Sequence, residues 1–242
     1  MKPLGRFCSA GLLLMWTGLA GAQETAAAVA TPIGGAVAKR QVSFTFDRKA
    51  VAVSHYKLVV HEDGSGLYEG NEIPSATSYG HPADVSAVPF KHVITVSQAT
   101  AQKIFSTAER LNRFDVPCAS KLKNIADTGT KTLVYEGRDG AGSCIYNYSE
   151  NKDVQLLTDT FQGIAETLDT GRRLDQLHRF DRLGLDAAMK SLTDEVSSGR
   201  ALEIGTIARS LRSIAQDTNV MTRVRNRATA LLSQIPSDVA AP

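Results

Sequence analysis

HYKLVVHEDGSGLYEG, residues 55–70, decides the fold. Two runs, Tyr56 to Val60 and Gly66 to Gly70, flank Asp63-Gly64, and glycine tolerates the positive φ that a tight hairpin turn demands. The stretch therefore predicts a β-hairpin and an antiparallel sheet. Upstream, Val42, Phe44 and Phe46 alternate with Ser43, Thr45 and Asp47, the pattern of a half-buried strand. Downstream, Phe90 to Val96 reads as a strand leading into a helix capped by Ser97, with Ala101, Ile104, Phe105, Ala108 and Leu111 on one stripe. Between them, residues 71–88 carry Pro, Gly, Ser and Asn without a period and predict a long loop.

The same grammar recurs. Lys131 to Glu136, a turn at Asp139-Gly140, and Ser143 to Ser149 make a second hairpin. A helix follows it, with Val154, Leu157, Phe161, Ile164 and Leu168 at helical spacing. Asp63-Gly64-Ser65-Gly66 and Asp139-Gly140-Ala141-Gly142 share a D-G-x-G pattern, which reads either as a faint internal duplication or as reuse of favoured turn chemistry. From about residue 172 no strand signal remains. Leu185, Ala188, Met189, Leu192 and Val196 form one apolar stripe that Gly199 ends, Ile204 to Ala215 carry a second, and Val220, Val224, Leu231 and Ile235 a third. The expectation is an α+β fold: an antiparallel sheet of hairpins with two packed helices over residues 41–170, then an all-helical segment over 171–242. That segment either packs on the sheet or forms an adjoining domain.

The N-terminal end reads as an address. Lys2 and Arg6, an apolar run of about 10 residues from Ala10, and the small-x-small triplet Ala20-Gly21-Ala22 make residues 1–22 a signal peptide, cut before Gln23. The run is about half of what spans a bilayer, so no membrane anchor is expected after cleavage. Cys8 precedes the apolar run and is not placed to carry a lipid. Residues 23–40 are Ala-rich, broken by Pro32, Gly34 and Gly35, and predict a flexible leader. The expected location is periplasmic or secreted.

Formal charge is +2, from 27 basic and 25 acidic residues, and loss of Lys2 and Arg6 leaves 25 against 25. A neutral chain has no global field to attract nucleic acid. The cluster Arg209, Arg212, Arg223, Arg225 and Arg227 reads as a solvated helix face, interleaved with Glu203 and Asp217. After cleavage only Cys118 and Cys144 remain, and an even count in an oxidising compartment predicts a disulfide. Two free thiols acting as metal ligands are the alternative, but they lack the spacing of a zinc site.

His55 through Gly70, with the later Thr128-Gly129-Thr130-Lys131-Thr132-Leu133, resembles a family of uncharacterised exported bacterial domains that open with a D-G-x-x-x-Y-x-G hairpin. The resemblance covers about residues 41–170. It implies an exported, small α+β domain and no transferable activity.

Few residues point to chemistry. Asp127-Thr128-Gly129-Thr130 is the motif of an aspartic protease loop, in which two such loops share one proton and activate a water. One copy is present, so the alternative expectation is a polar turn capped by Asp127. His55 and His61 share a strand face but lie roughly 20 Å apart at about 3.3 Å per residue, too far to share a metal. No G-x-S-x-G, phosphate-cradling glycine loop or H-E-x-x-H occurs, and no cofactor is implied. Tyr135, Tyr146 and Tyr148 are either cross-strand packing or an exposed tyrosine-lined binding surface, which Tyr56, Tyr68 and Tyr79 could extend. The leading expectation is a non-enzymatic exported module that binds a protein or cell-envelope component; the rival is an exported aspartic-type hydrolase acting through Asp127.

Overall fold

The structure, a computed structural model, describes residues 39–49, 51–73 and 87–236. The segments expected to be a signal peptide and, nearly in full, a leader, with most of the loop expected over 71–88, lie outside the described residues. Six strands, β1 (Gln41–Asp47), β2 (Val53–His61), β3 (Ser65–Glu72), β4 (Val88–Thr95), β5 (Thr130–Gly137) and β6 (Gly140–Tyr146), form one antiparallel sheet in the order β4-β3-β2-β1-β5-β6. Among the described residues five α-helices accompany them: α1 (Gln98–Arg110), α2 (Lys152–Phe180), α3 (Arg182–Ser197), α4 (Ala208–Gln216) and α5 (Thr222–Leu232). The chain is α+β, as the order of its patterns predicts.

Both D-G turns are hairpin turns. Gly64 has φ +79°, and a side chain there would also meet the Val96 carbonyl at 2.6 Å, so glycine is required twice over. The two hairpins flank β1, each pairing with it through its first strand. Register then lays out three rows across the helix-facing side. Val42 stands between Val60 and Tyr135, and Phe44 between Leu58 and Leu133. In the third row, Phe46 stands between Tyr56 and Lys131, extended by Gly70 and Phe90 on one side and Tyr146 on the other.

α2 covers these rows. Its stripe Val154, Leu157, Phe161, Ile164 and Leu168 is buried, and Phe161 stacks on Phe44 with centroids 5.4 Å apart. Asn151 starts the helix by accepting from the Asp153 amide at 2.9 Å. At 29 residues α2 runs unbroken past residue 171, where the strand-bearing part was expected to end. It stops at Asp181, whose carboxylate accepts from the Gly184 amide and opens α3. A single core cluster includes Phe44 and Leu58 of the sheet together with Leu192, Leu211, Val224 and Leu231 of the C-terminal helices. The helical segment therefore packs on the sheet through α2 and does not stand apart.

One polar latch reinforces that union. Glu203, in the left-handed region at φ 55°, accepts from the Ser97 amide at 2.8 Å and the Ser97 hydroxyl at 2.7 Å, and from the Thr100 hydroxyl. It thereby supplies an acid at the N-terminus of α1. Cys118 and Cys144 are joined, tying the loop after α1 to β6. Among the described residues no helix is long and apolar enough to cross a membrane.

Candidate functional site

The third row of the sheet ends in a cleft against α2. Two cavities, of about 640 Å³ and about 440 Å³, run along the helix and meet at Gln162. Phe46, Val51, Val53, Tyr56 and Ala165 give the larger one an apolar floor, and Glu166, Asp169, Thr170 and Arg172 line its polar side. Lys131, Tyr146, Asn147, Tyr148 and Thr158 line the smaller.

At the Arg172 end, the guanidinium donates from Nη1 to Glu72 at 2.6 Å and from Nη2 to Asp169 at 2.8 Å, while Tyr68 donates to the same Asp169 oxygen at 2.8 Å. The Arg172 guanidinium also lies 3.9 Å from the Phe90 ring centroid. Burial pushes the Asp169 carboxyl up from its ordinary range, and the Arg172 charge offsets this only in part. Burial likewise raises the phenols of Tyr56 and Tyr68, with the Asp169 charge adding to each. Tyr56 and Asp169, both displaced chiefly by desolvation, line one concave site, with Tyr68 fully buried behind Asp169, and such a pair marks a functional candidate.

This geometry gives the D-G-x-x-x-Y-x-G pattern a physical meaning. Tyr68 is its tyrosine and anchors Asp169. Gly70 is its last glycine, and a Cβ there would meet the Phe90 ring and Tyr56 Cβ at 2.9 Å each, so the bare backbone makes room for both rings.

At the other end Lys131 is buried at 5% exposure. Its ammonium donates to the Thr128 hydroxyl at 2.9 Å and to the carbonyls of Asn147 at 2.8 Å, Gly129 at 3.1 Å and Thr128 at 3.2 Å. All four acceptors are neutral. Burial lowers its pKa, the Arg48 charge lowers it further, and Asp127 acts the other way. Tyr146 donates to or accepts from the Thr158 hydroxyl at 2.6 Å, and burial holds its phenol up at about 12.

Asp127 lies in the turn that builds this cage. It accepts from the Gly129 amide at 2.9 Å, the capping geometry expected of a polar turn, and Gly129 takes φ +91°. Thr128 is held by Asn147 through both amide and hydroxyl.

The proposed tyrosine-lined surface requires correction. Tyr135 and Tyr146 are 0% and 4% exposed, because both stand on the helix-facing side of β5 and β6. Tyr135 is opposite Gly142, not Tyr146, and its hydroxyl accepts from Arg40 Nε at 2.7 Å and donates to Asp139 at 2.8 Å. Tyr148, beyond the end of β6, is 40% exposed and lines the smaller cavity. Packing wins because a half-covered sheet places its large rings on the buried face. Tyr56 and Tyr68 are buried there too, and Tyr79 lies outside the described residues.

His55 bonds Asp47 across the β1–β2 pair at 2.5 Å. Within the arginine cluster, Arg223 and Arg227 reach Asp186 at 2.9 Å and 2.5 Å, and Arg225 donates to Thr222. Neither the protein-family models nor the curated proteins compared with this sequence match it.

Proposed function

We propose that the chain is an exported, non-enzymatic binding module whose partner, a protein or another cell-envelope component, seats in the cleft between α2 and the third sheet row. The observation that carries this reading is the cleft itself: an apolar floor of aromatic and aliphatic side chains beside titratable groups displaced by desolvation. The Tyr68–Asp169–Arg172–Glu72 chain fixes the polar wall in place, which suits recognition by preorganised contacts. An apolar side chain of the partner fits the Phe46 and Tyr56 floor, with its polar flank against Gln162 and Glu166. Export rests on the N-terminal pattern together with the disulfide, a bond that persists in oxidising compartments.

The test is a comparative capture from envelope extract with the mature chain, its Thr170→Trp variant, which fills the cleft, and its Glu166→Arg variant, which reverses charge at an exposed rim position. Components retained by the mature chain and lost from both variants support the reading. Identical capture by all three proteins contradicts it.

A further inference from the structure

Arg172 also lines a second concave site. This groove of about 540 Å³ is bounded by His92 and Val93 of β4, by α2, and by the start of α4. On α2, positions 172, 175 and 179 fall on one face at helical spacing and bring Arg172, Asp175 and Arg179 to the groove. From α4, Arg209, Ser210 and Ser213 face them.

Two features set this groove apart from a solvated surface. Arg223 and Arg227 are paired with Asp186, whereas Arg179 and Arg209 show no ion pair or side-chain hydrogen bond among the described residues and converge on one cavity. The Arg172 Nε–H is buried without an acceptor, although the two Nη groups of the same side chain are engaged with Glu72 and Asp169. Guanidinium groups present fixed forks of donors that match oxyanions, and hydroxyls add donors at adjustable angles. The neutral total charge of the exported chain does not bear on this, because a local cluster in a concave wall focuses its own field.

We propose that the groove binds a phosphate-type oxyanion, held between the guanidinium groups of Arg179 and Arg209 with Ser210 and Ser213 donating alongside. Asp175 is the one acid in the wall and opposes the ligand's charge. This inference is independent of the cleft reading. Phospholipid headgroups and soluble phosphate-bearing molecules offer the same chemistry. They are separable because Phe180, which follows Arg179, and Leu183 are each 82% exposed at the α2–α3 corner, where a bilayer but not a soluble anion would engage them.

The experiment uses the purified mature chain with two probes. Inorganic phosphate is titrated and followed by phosphorus NMR line broadening, and flotation is measured with phosphatidylglycerol vesicles against phosphatidylcholine vesicles. The expected result is saturable phosphate broadening that weakens by about tenfold for each arginine removed in Arg179→Gln and Arg209→Gln, the change expected on losing a hydrogen bond to a charged group. Asp175→Asn should tighten it, and Lys190→Gln, at an exposed position of α3 away from both cavities, should leave it unchanged. Flotation with phosphatidylglycerol alone, lost in Phe180→Ser with Leu183→Ser, assigns the oxyanion to lipid. Phosphate binding without flotation assigns it to a soluble ligand. Absence of binding to both probes, or binding unaltered in the double arginine variant, overturns the site, as does weaker binding in Asp175→Asn.

Discussion

Lys131, buried, and Arg172, half-buried, are cations toward opposite ends of one cleft, and the fold treats them differently. Lys131 is given four neutral oxygens, so its hydrogen bonds are satisfied while its charge is not, and its pKa falls. Arg172 is given two carboxylates, so its charge is compensated and the desolvation cost passes to Asp169, whose pKa rises. Satisfying a donor and compensating a charge are separate tasks. Each end of the cleft thus leaves one ionisable group displaced by burial.

The largest effect is expected at the Lys131 end. The disulfide closes the loop that carries Asp127, Thr128, Gly129 and Lys131, over a sequence separation of 26. Its reduction should lower stability by about 3.5 kcal/mol on the chain-entropy estimate, read as a drop in the denaturant midpoint. Two freely alkylated thiols in the native protein would contradict the bond.

At the other end, Arg172→Met leaves Asp169 without its cation. Loss of one partner from a fully buried pair costs about 3–5 kcal/mol, and with the Asp169 side chain 31% exposed the expectation falls to about 2–3 kcal/mol. Arg172→Met with Asp169→Leu should recover most of it, because no orphaned charge remains. A double variant as unstable as the single one would show that Arg172 acts through packing on Phe90 instead.

A smaller effect sharpens the contrast through pH. In the folded chain Lys131 titrates below its ordinary 10.5, so between the two values the unfolded chain binds more protons and the Lys131 contribution makes stability rise with pH. Tyr56, Tyr68 and Tyr146 are raised and pull the other way, so the useful quantity is the difference between the native chain and Lys131→Met. That difference should move in favour of the native chain as pH climbs toward 10.5. A flat difference would mean the ammonium is solvated.

Asp127→Asn is the smallest change. It keeps the shape of a turn residue whose visible role is one hydrogen bond to Gly129, so it should cost at most about 1 kcal/mol. Acid-dependent peptide cleavage by the mature chain, abolished by this substitution, would instead favour the hydrolase reading.

Much of this architecture is legible in sequence because its signals are local. Both D-G turns, the alternation of Val42, Phe44 and Phe46, and the stripes of α1 and α2 require only near neighbours. The cysteine pair follows from the even count left by the expected cleavage before Gln23. The cleft is not local. Glu72 and Arg172 are 100 residues apart, and Asp169 with Arg172 on a helix reads as an ordinary solvated i,i+3 pair until β3 is laid against α2. Lys131 was accessible by parity, since it shares a strand face with Leu133 and Tyr135. The same parity buries Tyr135 and decides for packing over an exposed aromatic surface. Aromatic composition does not say which face is covered; register against β1 does.

At the Arg172 end of the cleft burial outweighs pairing, and Asp169 reports on that balance directly. Its carboxyl carbon can be followed by carbon-13 NMR across an acid titration, with Asp169→Asn fixing the assignment. The account predicts a midpoint above the ordinary 3.8, so that stability contributed by this group falls as pH rises from 3.8 through the displaced value. A midpoint at or below 3.8 would mean that the Arg172 and Tyr68 contacts dominate, that water reaches the cleft, and that the case for a recognition site there is lost.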